Sequence, residues 1–145
     1  MSTIKKFEDL EVWKVARELC HDIFKLTLQD AFSKDFGLKD QIRGSSGSVM
    51  DNIAEGFERD GSREFVQFLS ISKGSCGENR SQLYRARDQN YITKEQFELL
   101  SQKTIDLGRK ISNLMITSET PILKATNSNP LNQRNNRNNR NKRNI

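Results

Sequence analysis

Four long stretches with helical hydrophobic periodicity constrain the fold of this chain more than any other feature of its sequence. They run from about residue 7 to 28, 37 to 58, 63 to 89 and 93 to 114, and their apolar residues recur every three or four positions. Only 2 Pro and 8 Gly occur in 145 residues, which disfavours an all-β fold with many tight turns. The sequence therefore predicts an all-α protein, an antiparallel up-down four-helix bundle formed by residues 1–120.

Local signals indicate where some of these helices begin and how they pack. Thr93 and Gln96 match a capping box, in which the Thr is the N-cap and the Gln occupies the third helical position. Ser62 is the expected N-cap of the third helix. Gly74 and Gly77 lie inside that helix and cost about 1 kcal/mol each relative to Ala, so we expect them to mark tight packing against a neighbour.

The positive charge of the chain belongs to its C-terminal part. The chain has 24 basic and 19 acidic residues, and six of the basic residues but none of the acidic ones follow residue 120. The first 120 residues therefore carry 18 basic against 19 acidic side chains. Asn dominates the last 20 residues, and large apolar side chains are too few to offset the entropy of ordering. Residues 121–145 are predicted to form a disordered, basic, Asn/Arg-rich tail.

The residue types needed for most enzymatic sites are missing or badly placed. One His and two Cys cannot furnish a four-ligand zinc site, and no Gly-x-x-x-x-Gly-Lys loop is present for nucleotide phosphates. Glu18 and His21 have the spacing of a di-iron motif, but the chain has no second His and both residues fall on the outer helix face. We expect no catalytic residue, metal or cofactor, and no enzyme. A cryptic site around Asn52, Glu55 and Glu78 is the enzymatic alternative.

Hydropathy indicates a protein of the cytoplasm. No apolar run approaches 18 residues, so we expect no transmembrane helix and no association with a membrane. The N-terminal residues lack the hydrophobic segment of a secretory signal. Cys20 and Cys76 are then expected to be reduced thiols in the core.

Basic residues repeat on one face of the third helix. Lys73, Arg80 and Arg87 are seven residues apart and form a stripe beside its apolar face. The stripe is either a solvated flank, interleaved with acidic residues of the fourth helix, or a contact surface for phosphates. The tail adds cations separated by amide side chains, which suit the backbone of RNA or DNA, although a solubilising terminus would look the same. These tail residues are Arg134, Arg137, Arg140, Lys142 and Arg143.

A polar row borders the apolar stripe of the second helix. Its members lie within about 60° of one another on a helical wheel. They are Gln41, Ser48, Asn52, Glu55 and Arg59. We expect a structural hydrogen-bond network that fixes helix register or joins subunits, with Arg59 beside Glu55 and Glu78 as a further member. A ligand or nucleic-acid site is the alternative.

Several runs of residues resemble a known family over residues 7–117. They are Phe7-Glu-Asp-Leu-Glu-Val-Trp13, Gln41-Ile-Arg43, Asn52-Ile-Ala-Glu-Gly56, Gly74-Ser75, Gln82-Leu83 and Tyr91-Ile92. In these runs the chain resembles the bacterial four-helix-bundle proteins encoded by intervening sequences in 23S ribosomal RNA genes. It is more distantly similar to the accessory protein of diversity-generating retroelements, a pentameric bundle that contacts nucleic acid and a reverse transcriptase. Asn79, where the family usually has an apolar residue, and the basic tail depart from the family pattern.

The resemblance implies a ring-like homopentamer. The wide apolar arc of the first helix independently favours some form of homo-oligomer. Together with the basic stripe, this predicts a non-enzymatic oligomeric protein that associates with RNA or DNA through a basic surface and the tail. The alternative is an interaction scaffold that docks a protein partner such as a reverse transcriptase.

Overall fold

Residues 3–119 are the part of the chain that the computed structural model describes, and they form helices without a strand. The elements are a 3-10 turn at Phe7–Asp9 and five helices: α1 (Glu11–Leu26), α2 (Asp30–Lys34), α3 (Phe36–Glu58), α4 (Ser62–Asp88) and α5 (Lys94–Ser118). None of these helices is both long and apolar enough to cross a membrane. The predicted all-α class is confirmed, whereas the predicted tail at 121–145 lies outside the described residues.

The four long helices pack in the order of the sequence. Helix α1 contacts α3 and α5, α3 contacts α4, and α4 contacts α5, so the bundle closes on itself. The short connections at 59–61 and 89–93 make successive helices antiparallel. Leu19, Ile53, Leu69 and Leu107 come one from each long helix and are fully buried. The four predicted apolar stripes therefore meet in a single core.

The break predicted near residues 29–35 contains the short helix α2. Its Phe32 is fully buried and stacks on Tyr91, with the ring centroids 5.3 Å apart. Asp35 then caps α3, because its Oδ1 accepts a hydrogen bond from the backbone N–H of Leu38 at 3.1 Å. Its Oδ2 accepts a second bond from the Tyr91 hydroxyl at 3.0 Å. The connection between α1 and α3 is thus anchored to the turn between α4 and α5.

The predicted capping box at the start of α5 is present. Thr93 Oγ1 accepts a hydrogen bond from the Gln96 N–H at 3.1 Å, and the Thr93 N–H donates to Gln96 Oε1 at 3.0 Å. The predicted N-cap of α4 is wrong by one residue. Gly61 is the N-cap with φ of 110°, and Ser62 begins the helix, where no side chain caps it. A glycine tolerates this positive φ without the strain that a Cβ would add.

The glycines of α3 and α4 differ in whether a neighbour needs their small size. A Cβ at Gly56 would lie 2.5 Å from Phe68 Cβ and 3.3 Å from a ring carbon of Phe65. Gly56 therefore permits the close approach of α3 and α4. A Cβ at Gly74 or Gly77 would meet no atom within 4 Å. The tight packing that we predicted at these two glycines is absent within residues 3–119, where both face open space.

Candidate nucleic-acid interface

A groove between α4 and α5 brings together basic side chains from both helices. It has a volume of about 430 Å³ and is lined by Lys73 and Arg80 from α4 and by Arg109 from α5. Its remaining lining residues are uncharged and include Gly77 and Gly108. No acidic residue of the described chain lines this groove, so its lining side chains carry only positive charge.

The groove cations have little compensation from nearby acids. Lys73 is exposed and Arg80 half-buried, and neither makes an ion pair or a side-chain hydrogen bond within residues 3–119. Arg109 lies 3.8 Å from Asp106, but both side chains are more than half exposed. Such a surface pair contributes little attraction. The three cations are therefore available to an anion from outside.

The acidic residues of α1 are paired on the opposite side of α5. Lys103 Nζ lies 3.0 Å from Asp22 Oδ2 and 3.4 Å from Glu18 Oε2. Lys110 Nζ lies 2.8 Å from Glu11 Oε1. The hydrogen bond and charge of Lys110 lower the pKa of Glu11 below its ordinary value. These contacts join α1 to α5 and leave the carboxylates of α1 directed away from the groove.

Arg87, the third member of the predicted stripe, has a different environment. It is half-buried, and its Nη1 donates to the backbone oxygen of Ile92 at 3.3 Å and to Asn90 Oδ1 at 3.4 Å. Arg87 therefore holds the turn between α4 and α5 and does not line the groove. Of the predicted stripe, the structure brings Lys73 and Arg80 to one site. The tail cations lie outside the described residues.

Cys76 contributes a protonated thiol to the groove wall. Its side chain is almost fully buried, and this burial raises its pKa to about 12 despite the nearby charge of Arg80. A thiol with this pKa is not a nucleophile at neutral pH. Within residues 3–119 no group of His, Cys, Asp or Glu could hold a metal ion.

Part of the predicted polar row connects α3 to α4. Asn52 Nδ2 donates to the backbone oxygen of Ser48 at 2.8 Å and to its Oγ at 2.9 Å. The Ser48 hydroxyl also shares a hydrogen bond with the Ser75 hydroxyl of α4 at 2.9 Å. These groups satisfy one another and connect α3 to α4.

The remaining members of the row do not join this cluster within the described chain. Arg59 pairs with Glu55 at 2.9 Å, but about half of each side chain is exposed to solvent. Gln41 Oε1 accepts a hydrogen bond from Arg85 of α4 at 2.7 Å, also at the surface. Glu78 belongs to a third group, which extends into the core. The expected single network is therefore several separate contacts.

The third group runs from the surface to a fully buried asparagine. Gln82 Nε2 donates to Glu78 Oε1 at 3.2 Å, and Gln82 Oε1 accepts from Ser45 Oγ at 2.6 Å. Asn79 Nδ2 donates to Ser45 Oγ at 2.9 Å and to the backbone oxygen of Ile42 at 3.1 Å. Asn79 Oδ1 is buried and has no hydrogen-bond partner among residues 3–119. The seam between α3 and α4 is thus partly polar.

Sequence reasoning missed two residues beside the basic stripe. Tyr84 lies four residues after Arg80 on α4 and is 56% exposed. Its ring packs edge-on against Phe97 of α5, with centroids 4.7 Å apart. The alternating spacing of three and four residues between Arg80, Tyr84 and Arg87 is a signal that could have identified the tyrosine. Arg109 had no such signal, because only the packing of α5 on α4 shows which of its faces meets the groove.

Two comparisons with known proteins found similar proteins. A family model described as 23S rRNA-intervening sequence protein matches residues 8–113. A crystal structure of a protein of unknown function, from the S23 ribosomal protein family of Bacteroides thetaiotaomicron, is similar with a TM-score of 0.66 and 22% sequence identity. The similarity covers 72% of this chain and 97% of that chain, and at this identity it shows a shared fold alone. No curated protein matches.

Proposed function

Because this chain belongs to the family of 23S rRNA-intervening sequence proteins, we propose that it is a non-enzymatic, oligomeric protein of the cytoplasm that binds the backbone of nucleic acid. The observation that carries the proposal is the groove between α4 and α5. Lys73 and Arg80 line it, neither has an ion-pair partner within residues 3–119, and no acidic residue of that range lines it. A polyanion gains from such a site by releasing its condensed counterions.

The tail cations are the second proposed contact with nucleic acid. The described chain ends at Glu119, which lines the same surface pocket as Ser62 and Arg63 at the start of α4. Lys73 follows eleven residues after Ser62 on that helix, which is about 16 Å at 1.5 Å per residue. The described residues therefore end at the side of the bundle nearer to Lys73, and we expect one polyanion to contact both the groove and the tail cations.

A homo-oligomer, a pentamer as the resemblance implies, is part of the proposal. Large apolar side chains on several helices are exposed in the single chain. The exposed aliphatic and Phe side chains on α3, α4 and α5 are Phe36, Ile71, Leu99 and Ile116. Burial against identical copies would remove these side chains from water, and a ring would repeat the positive groove around its axis.

The same exposed apolar side chains favour a second candidate function. They could dock a protein partner, and the distant resemblance named in the sequence analysis implies a reverse transcriptase. The matches reported above give no support to the distant resemblance to a retroelement accessory protein. A partner-docking role predicts that Leu99→Lys abolishes capture of the protein partner in a pull-down, whereas replacing the tail arginines by Gln does not.

Nucleic-acid binding is tested by the fluorescence anisotropy of labelled RNA and DNA strands with the full chain. If many phosphates are contacted, affinity falls by several decades between about 50 mM and 200 mM salt. The double variant Lys73→Gln/Arg80→Gln should bind more weakly with a smaller salt slope. Lys14→Gln/Lys94→Gln removes the same charge outside the groove and is the matched control.

Two outcomes would contradict this proposal. One is the absence of any binding at about 50 mM salt, where phosphate contacts are strongest. The other is an equal loss of affinity in the groove variant and its matched control, which would show that only net charge matters. A variant with Gln at all five tail cations separates the contribution of the tail from that of the groove.

A further inference from the structure

We propose that the groove between α4 and α5 is a site for one extended strand of nucleic acid, whose backbone lies on the groove floor while a base stacks on Tyr84. This inference rests on the proposed function and names its substrate class, single strands in preference to duplexes.

The floor of the groove is open to the close approach of a ligand. Gly77 of α4 and Gly108 of α5 both line it, and a Cβ at either position would meet no atom within 4 Å. Neither glycine is therefore needed for packing within the described chain, although each lowers helix stability by about 1 kcal/mol relative to Ala. The absence of side chains lets a sugar-phosphate backbone reach the two helices themselves.

The walls of the groove offer cations to both sides of such a strand. Lys73 and Arg80 are seven residues apart on α4, which is about 10.5 Å along the helix axis. Arg109 faces them from α5. A strand lying between these walls can contact all three cations, whereas the wide convex surface of a duplex could contact only the rims.

Tyr84 extends the groove beyond Arg80. Gly77, Arg80 and Tyr84 are separated by three and four residues, so they share one face of α4. The edge contact with Phe97 holds the ring, and 56% of Tyr84 remains exposed. Stacking on such a ring requires an unstacked base, which a single strand offers and a duplex does not. Every base has a π-face, so the site should be tolerant of sequence.

The first experiment compares strands and duplexes on the full chain at low salt. The probes are an oligouridylate of about 16 nucleotides, the matching oligo-dT and a mixed-sequence duplex of the same length. We expect both single strands to bind more tightly than the duplex. Tyr84→Ala should weaken single-strand binding by about tenfold, the effect of losing one stacked base. Tyr84→Phe keeps the ring and should bind as the wild type does.

The second experiment fills the floor of the groove. Gly77→Leu adds a side chain where the structure has open space, so it should reduce single-strand affinity by about tenfold or more without loss of helical circular dichroism. Gly44→Leu is the matched control, because Gly44 is exposed on α3 and also has no atom within 4 Å of an added Cβ. It should leave affinity unchanged.

Failure of this inference is distinguishable from failure of the proposed function. If the wild type binds but prefers the duplex, or if Tyr84→Ala and Gly77→Leu bind single strands as the wild type does, the groove is not a single-strand site and the proposed function stands. If the wild type binds none of the probes, the proposed function is wrong and this inference with it.

Discussion

At the scale of single residues, Asn79 shows how the polar seam between α3 and α4 is built. Its amide nitrogen bonds to Ser45 and Ile42, and these bonds form in only one register of the two helices. Its Oδ1 has no hydrogen-bond partner in the described part of the chain, and an unsatisfied buried acceptor costs about 1–3 kcal/mol. Asn79 therefore favours one helix register at the expense of stability.

Replacing this residue by Leu should stabilise the bundle. In Asn79→Leu the unpaired Oδ1 is removed, Ile42 keeps its intrahelical bond, and Ser45 keeps its bond to Gln82. We expect the free energy of unfolding in urea to rise by about 1 kcal/mol. Asn79→Ala removes the same amide but leaves a cavity, so it should lower that free energy. A loss of stability in Asn79→Leu as large as in Asn79→Ala would contradict this account.

Cys76 should be unreactive in the folded protein. With its pKa raised to about 12, the folded thiol stays protonated at about pH 8, so a thiol reagent should modify it only as fast as the chain unfolds. A Cys20→Ser background isolates the signal. Fast modification under native conditions would show that the thiol is accessible and ionised.

The raised pKa of Cys76 makes the stability of the fold depend on pH in the alkaline range. The unfolded thiol ionises near its ordinary pKa of 9.0, whereas the folded one does so near 12. The contribution of the protonated thiol to the free energy of unfolding is therefore complete below pH 9.0 and is lost as the pH rises toward 12. The free energy of unfolding should decline less steeply over this range in Cys76→Ala than in the wild type. An equally steep decline in the wild type and in Cys76→Ala would contradict the raised pKa of Cys76.

At the scale of elements, the helices could be predicted because each carries its own periodicity and end signals. The third pattern, at 63–89, became α4 at Ser62–Asp88, and the capping box at Thr93 begins α5 as expected. The short helix α2 was missed, because five residues are too few for a periodic pattern. Its one buried side chain, Phe32, is ordered by Tyr91 from a distant part of the chain.

The candidate site was only half predictable for a related reason. Lys73 and Arg80 repeat along a single helix, so their common face can be read from spacing. The groove also needs Arg109 and Gly108, which come from α5. Their position depends on how α5 packs against α4, and no spacing within one helix contains that information. Gly77 was noticed, but its open environment could be seen only in the folded bundle.

The packing of α3 on α4 predicts opposite effects for two glycine substitutions. Gly56→Ala places a Cβ 2.5 Å from Phe68 Cβ, so it should lower the free energy of unfolding by about 1–3 kcal/mol. Gly74→Ala adds a Cβ in open space and should raise it by up to about 1 kcal/mol through helix propensity. Urea denaturation of both variants measures the difference. Equal losses of unfolding free energy in Gly56→Ala and Gly74→Ala would contradict this difference between the two glycines.

At the scale of the whole molecule, charge is distributed unevenly around the bundle. Helices α1 and α5 neutralise each other through Lys103 and Lys110, whereas Lys73 and Arg80 of the groove have no ion-pair partner within residues 3–119. A chain whose first 120 residues are almost neutral can thus present a positive face. An assembly of identical copies would multiply that face without changing the charge of each copy.

Assembly is directly measurable. Light scattering of the full chain at micromolar concentration should give a mass that is a multiple of 16.7 kDa, five times that value for a pentamer, because the exposed apolar side chains favour association. A mass of a single chain at that concentration would contradict the oligomer.

The three-residue link between α3 and α4, with Gly61 at its bend, also bears on when the groove comes into existence. So short a link lets the two helices close on each other as soon as both have been synthesised, since little loop entropy opposes them. One wall of the groove is then already built, but the other belongs to α5, which the ribosome makes last among the described helices. A nascent chain that lacks α5 therefore has no groove. It can bind no ligand there until α5 has been synthesised.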